Sequence, residues 1–129
     1  MIDLACLIED DPIHVFLTEK FLGASGKVKE LIRYANGEEA YFALREKFEK
    51  KTPLPELILL DLNMPIWDGW QFLEEFTKLA IEKKIYIFIL TSSIDSQDEL
   101  KAQKYGMQDY FRIKPITANM VTEIFDMMD

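Results

Sequence analysis

Five polar side chains in this 129-residue chain are spaced in a way that could do chemistry: Glu9, Asp10, Asp61, Thr91 and Lys114. Each stands where a strand-like run stops. Ile2 to Ile8, apolar apart from Asp3, ends on Glu9-Asp10, and Leu57 to Leu60 ends on Asp61. Ile85 to Leu90 ends on Thr91, and the short stretch from Asp109 to Ile113 ends on Lys114-Pro115. Apolar runs this short do not make helices but suit strands covered on both faces. Open α/β sheets gather their chemistry where strands end at the carboxyl edge. Read singly, Glu9 and Asp10 are turn acids, Thr91 a cap and Lys114 a surface lysine. If the first, third, fourth and fifth strands are neighbours, all of them share one edge, and that coincidence points to one site.

The chemistry follows from the residue types. Glu9, Asp10 and Asp61 would bring several negative charges together, which is unfavourable unless a cation lies between them. Hard oxygen donors with few protein contacts suit Mg2+, which keeps waters and favours phosphate as a further ligand. Lys114 offers a mobile point charge for Asp61 or a phosphoryl oxygen, and Thr91 offers a hydroxyl donor. Carboxylate nucleophile, Mg2+, lysine and hydroxyl together describe phosphoryl transfer onto an aspartate. No GxxxxGK[ST] loop occurs, so ATP is not the expected donor.

Between these strand ends the chain alternates strand with helix. Asp11-Pro12 opens the first helix, which Gly23 or Gly26 closes, and VKELIRY from Val28 to Tyr34 is a second strand nearer an edge. Asn36 starts the second helix, with Glu39 placed to bond back to the cap. Asp68 caps a third helix expected to run through Phe76 to Leu79 and Ala80. A capping box of Ser96 with Glu99 starts the fourth, closed by Gly106, and Thr117 caps the fifth. Five strand–helix repeats predict a parallel sheet with helices on both faces, in one domain over residues 1–129. A net charge of -8 speaks against nucleic acid and anionic membranes as direct partners. The single cysteine, Cys6, fits a reducing compartment, and no run is long enough to span a bilayer, so a cytoplasmic location is expected. His14 reads as a partly exposed helix residue.

With these residues in place, the whole chain resembles the receiver domains of bacterial two-component response regulators. The resemblance rests on Glu9-Asp10, on LLDLNMPIWDGW around Asp61, on Thr91 after its strand and on Lys114-Pro115. It implies a flavodoxin-like (βα)5 three-layer sandwich with strand order 2-1-3-4-5. It implies that Asp61 accepts a phosphoryl group from a phosphohistidine on a sensor histidine kinase or a histidine phosphotransfer protein. Mg2+ would be held by Asp10, Asp61 and the main-chain carbonyl of Asn63, with Glu9 helping through water. Thr91 and Lys114 would bind the phosphoryl group, with a cis bond before Pro115. Phe111 falls at the family's aromatic switch, where, lacking a tyrosine hydroxyl, it would work by packing alone. Glu9 departs from the commoner aspartate. Trp67 is expected near enough to report Mg2+ binding.

The expected activity is that of a stand-alone signalling phosphoacceptor, catalysing only its own phosphorylation and dephosphorylation and acting through protein–protein contact. The downstream target, and whether phosphorylation yields a homodimer, are not written in the sequence. A phosphatase with an aspartyl-phosphate intermediate would need a second acid two residues after the nucleophile, where this chain has Asn63. A degenerate receiver would bind partners without phosphorylation and would fail to bind Mg2+.

Overall fold

The computed structural model of the chain describes residues 1–92 and 94–128. Ser93, which follows Thr91-Ser92, and Asp129 lie outside the described residues. Five strands form one parallel sheet in the order β2-β1-β3-β4-β5: β1 Ile2–Ile8, β2 Val28–Tyr34, β3 Leu57–Asp61, β4 Tyr86–Thr91 and β5 Phe111–Ile113. Five helices connect them: α1 Pro12–Ser25, α2 Gly37–Glu49, α3 Gly69–Phe76, α4 Ser96–Lys104 and α5 Ala118–Met128. No helix among the described residues is long and apolar enough to cross a membrane.

Side chains on a strand point alternately to the two faces, and this alternation divides the core in two. Cys6, Ile8, Ile58, Leu60 and Ile89 pack under Ala40 and Leu44 of α2, Phe72, Leu73 and Phe76 of α3 and Ala102 of α4. Ala5, Leu7, Leu57, Leu59, Phe88 and Leu90 pack under Leu22 of α1 and Val121, Ile124 and Phe125 of α5. All of β3 is buried, which explains its uninterrupted apolar run. Each fully buried Leu, Ile or Phe here contributes about 1.5–3 kcal/mol over an exposed one. Two buried layers leave the carboxyl edge of the sheet as the place where polar strand ends meet.

The helix starts follow local chemistry. Asp11 Oδ1 accepts from the Ile13 N–H at 3.0 Å, with Pro12 in the first helical turn. Asn36 Oδ1 accepts from the Glu39 N–H at 2.8 Å, and Asp68 Oδ1 from the Gln71 N–H at 2.9 Å. Glu39 reaches the Ala35 N–H at 3.4 Å, one residue short of the cap itself. Thr117 Oγ1 accepts from the Met120 N–H at 3.1 Å. Gly26 and Gly106 end α1 and α4 with φ of 67° and 68°, a region that glycine enters at no steric cost.

Three expectations are corrected. The cap of α4 is Asp95, not Ser96: Asp95 accepts from the Asp98 N–H at 2.8 Å, and Asp98 accepts from the Asp95 N–H at 3.4 Å. A carboxylate is the stronger acceptor at a helix start, where it also meets the positive end of the macrodipole. Helix α3 stops at Phe76: beyond it the Lys78 and Leu79 N–H groups reach carbonyls three residues back, at 3.2 and 3.1 Å, so Leu79 and Ala80 lie past the helix. The fifth strand starts at Phe111 rather than Asp109, with Gln108–Tyr110 wound as a single 3-10 turn.

Candidate functional site

The strand ends do meet. Lys114 Nζ stands 2.7 Å from Glu9 Oε1 and 3.4 Å from Asp61 Oδ1, although the three residues come from the ends of β5, β1 and β3. One carboxylate oxygen from each of Glu9, Asp10 and Asp61 lies within 4.8 Å of the others, the spacing of a shared cation site. Glu9 and Asp61 are buried, while Asp10 faces solvent. Thr91 is fully buried at the end of β4, and its carbonyl accepts from the Lys114 N–H at 2.8 Å. That main-chain bond ties the lysine to the strand end beside it. The Lys114–Pro115 bond is cis, as the resemblance implied.

The loop after Asp61 is folded tightly back. The Asn63 N–H donates to Asp61 Oδ1 at 3.3 Å, and the Gly69 N–H donates to the Leu62 carbonyl at 3.0 Å. A Cβ on Gly69 would stand 2.7 Å from the Asp61 carbonyl oxygen, so a side chain there would push on the acid. Trp67 adopts φ 50°, and its carbonyl accepts from the Gly37 N–H at 3.2 Å, pinning the loop to α2. Its indole packs against Tyr41 and Phe42 at centroid distances of 5.3 and 5.9 Å.

Electrostatics separate the two buried acids. Burial raises the Glu9 carboxyl, but the neighbouring His14, Lys114 and Asp61 outweigh it and hold the group at about 2. Burial likewise raises Asp61, and here the adjacent Glu9 adds to the rise, leaving Asp61 at about 7 despite Lys114. Without a cation, Lys114 therefore serves Glu9 first, and Asp61 is the carboxylate short of a counter-charge. A divalent ion among these oxygens supplies what the cluster lacks, and all three donors are hard oxygens.

His14 corrects the sequence reading. It is buried, and its Nδ1 stands 2.9 Å from Glu9 Oε1, though not in line with the ring N–H. The signal was present in the spacing: His14, Thr18 and Leu22 recur every fourth residue and form the buried stripe of α1. Phe111 is half-buried on the other side of β4, with its ring 5.7 Å from Trp70, which itself stacks on Tyr105 at 5.9 Å. The Trp70 Nε1–H donates to Asp98 Oδ1 at 3.0 Å, joining α3 to the start of α4.

Comparison with known proteins agrees with this geometry. The family model described as the response regulator receiver domain matches residues 5–126. Response regulator Rcp1 of Synechocystis is 32% identical over 105 residues, covering 81% of this chain and 71% of that protein. The probable C4-dicarboxylate response regulator DctR of Halalkalibacterium halodurans is also 32% identical, over 86% of this chain but 44% of its own length. Among solved structures, a two-component response regulator from Cytophaga hutchinsonii superposes with a TM-score of 0.83 at 31% identity, covering 98% of this chain and 96% of that one. A structure of Rcp1 superposes with a TM-score of 0.73 at 28% identity, over 96% of this chain and 87% of its own. A sheet of order 2-1-3-4-5 whose carboxyl edge gathers Glu9, Asp10, Asp61 and Lys114 thus belongs to the response regulator receiver domain family.

Proposed function

We propose that this receiver domain takes a phosphoryl group from a phosphohistidine onto Asp61 and signals through protein–protein contact. The observation that carries the reading is the approach of Lys114 Nζ to both Glu9 and Asp61, at 2.7 and 3.4 Å, beside the three-carboxylate cluster. An Asp61 carboxylate oxygen attacks phosphorus, forming the O–P bond as the N–P bond of the donor breaks. The bonding pair stays on the imidazole, which leaves neutral once its other nitrogen carries a proton. Lys114 turns from Glu9 to a phosphoryl oxygen, and the Thr91 hydroxyl donates to another, so the charge brought by the group is met by two donors.

The residues fit Mg2+. Asp10, Asp61 and the Asn63 carbonyl would hold it, with Glu9 acting through water. When bound, the ion supplies charge neutralisation and a fixed orientation for the phosphoryl oxygens. The solved structure of Rcp1 is of its Mn2+-bound form, which supports a divalent site in this family. Phosphorylation adds up to about two negative charges. The structural response is assigned to Thr91 and Phe111, with Phe111 moving by packing against Trp70.

The donor is a sensor histidine kinase or a histidine phosphotransfer protein, and the Helicobacter pylori relative CheAY is itself a sensor histidine kinase. The match along nearly the full length of the Cytophaga regulator supports signalling by the receiver fold, and the proposal places that signalling in the cytoplasm. Dephosphorylation by its own site is part of the proposal. Incubation with Mg2+ and phosphoramidate, read by intact mass, tests it. Wild type gains one phosphoryl group, and Asp61→Asn gains none. Labelling that persists in Asp61→Asn overturns the assignment.

A further inference from the structure

The first turn of α1 carries an unexpected feature: a histidine, 3% exposed, pointed at the acidic edge of the sheet. Glu9 is one methylene longer than aspartate, and a longer carboxylate at this position needs something to fix where it lies. Two cationic or donor groups converge on a single oxygen of it: Lys114 Nζ at 2.7 Å and His14 Nδ1 at 2.9 Å meet Glu9 Oε1. The other oxygen, Oε2, accepts the Asp11 N–H at 3.3 Å. Glu9 is 4% exposed. A carboxylate this buried is costly when its partners leave.

The proposed reaction loosens one partner. Lys114 Nζ is already shared between Glu9 at 2.7 Å and Asp61 at 3.4 Å, and a phosphoryl group on Asp61 draws its charge further from Glu9. Two atoms that both lack a proton would repel at 2.9 Å; with Lys114 on the same oxygen the ring N–H lies off the line to Glu9 Oε1, and a small turn of the imidazole would bring it on. We propose that His14 is a positioning residue, its Nδ1–H holding the Glu9 carboxylate in place so that Glu9 keeps a partner when Lys114 turns to the phosphoryl group. His14 touches neither the phosphoryl group nor the cation. It acts through Glu9, in the way outer partners orient the ligands of a metal site. This inference rests on the reading of Asp61 as phosphoacceptor given above.

The test compares His14→Leu, which keeps volume and removes the donor, with His14→Asn, whose amide nitrogen reproduces the Nδ1 position. Mg2+ affinity is measured by Trp emission and labelling rate with phosphoramidate, while thermal melts in chelator report folding. His14→Leu is expected to weaken Mg2+ binding and slow labelling by about tenfold or more, with His14→Asn recovering most of the loss. A purely structural histidine would instead make both variants fall together, and that result overturns the proposal. So does a His14→Leu protein within about threefold of wild type. Nitrogen-15 NMR of the metal-free wild type supplies a readout that needs neither variant nor phosphorylation. The His14 Nδ1 signal should be that of a protonated ring nitrogen, and an unprotonated Nδ1 overturns the proposal even if Asp61 is phosphorylated. If Asp61 takes no label in wild type, the phosphoacceptor reading fails, and the role proposed for His14 fails with it, whatever the Nδ1 signal shows.

Discussion

Asp61→Asn should stabilise the metal-free protein, and should do so more at pH 8 than at pH 5. Asp61 is buried beside Glu9, which is itself ionised down to about 2, so the folded state holds the Asp61 proton up to about 7 instead of 3.8. A folded-state value raised in this way gives stability that is complete below the unfolded value and is lost as pH climbs through the folded one. Between pH 5 and pH 7 the folded chain keeps a proton that the unfolded chain has released. The loss is about 1.4 kcal/mol per pH unit, or at most about 3 kcal/mol over that interval. Asparagine cannot ionise and does not incur this loss. Lys114 keeps its contact with Glu9 at 2.7 Å in the variant, so the substitution strands no cation. Urea unfolding in chelator at pH 5 and pH 8 measures the effect directly. The gap between Asp61→Asn and wild type should widen with pH by about 2–3 kcal/mol. Mg2+ at a hundredfold over its dissociation constant should return about 2.7 kcal/mol to wild type and less to the variant. A gap independent of pH, or a variant less stable than wild type at pH 8, would refute the electrostatic reasoning.

Lys114→Met should lower metal-free stability by about 3 kcal/mol, because it breaks a buried pair and leaves Glu9 against Asp61; denaturant melts at neutral pH read this, and added Mg2+ should recover part of the loss. Gly69→Ala places a Cβ 2.7 Å from the Asp61 carbonyl and 3.0 Å from Leu62 Cα, so it should cost about 1–3 kcal/mol and slow labelling of Asp61. Wild-type stability and labelling rate in that variant would show that the loop yields freely. Asp95→Ala should cost about 1 kcal/mol, whereas Ser96→Ala should leave thermal stability nearly unchanged, since the cap of α4 lies on Asp95. Asp98→Ala leaves the Trp70 indole N–H without its acceptor and should cost about 1–3 kcal/mol, with a shift in Trp emission.

The site was largely legible because it is assembled from strand ends. Strand length, apolar runs and the polar residue that stops each run are local signals. The parallel topology then carries Glu9, Asp61, Thr91 and Lys114 to one edge without any further information. Asp11, Asn36 and Asp68 were readable as caps for the same reason, since a cap is decided within a few residues. What was not legible depends on packing across elements. Helix α1 shows the failure most clearly: Ile13 and Phe16 are 72% and 66% exposed, while His14 and Thr18 are buried. A reader who places apolar residues inside and polar residues outside turns this helix the wrong way. The available signal was the stripe of His14, Thr18 and Leu22 at every fourth residue; the contact of His14 with Glu9 across the interface is one that no local pattern shows. The end of α3 at Phe76 came with a tightening of the chain to three-residue turns, and the cap of α4 with a choice between two adjacent acceptors.

The central claim is that the phosphoryl group sits on Asp61. Borohydride reduction of the phosphoramidate-treated, Mg2+-loaded protein converts an aspartyl phosphate into homoserine at the modified position, which peptide sequencing by mass spectrometry then locates. Homoserine is expected at position 61 and nowhere else. Homoserine at another aspartate, or a phosphoryl group found on a hydroxyl or on His14, would contradict it.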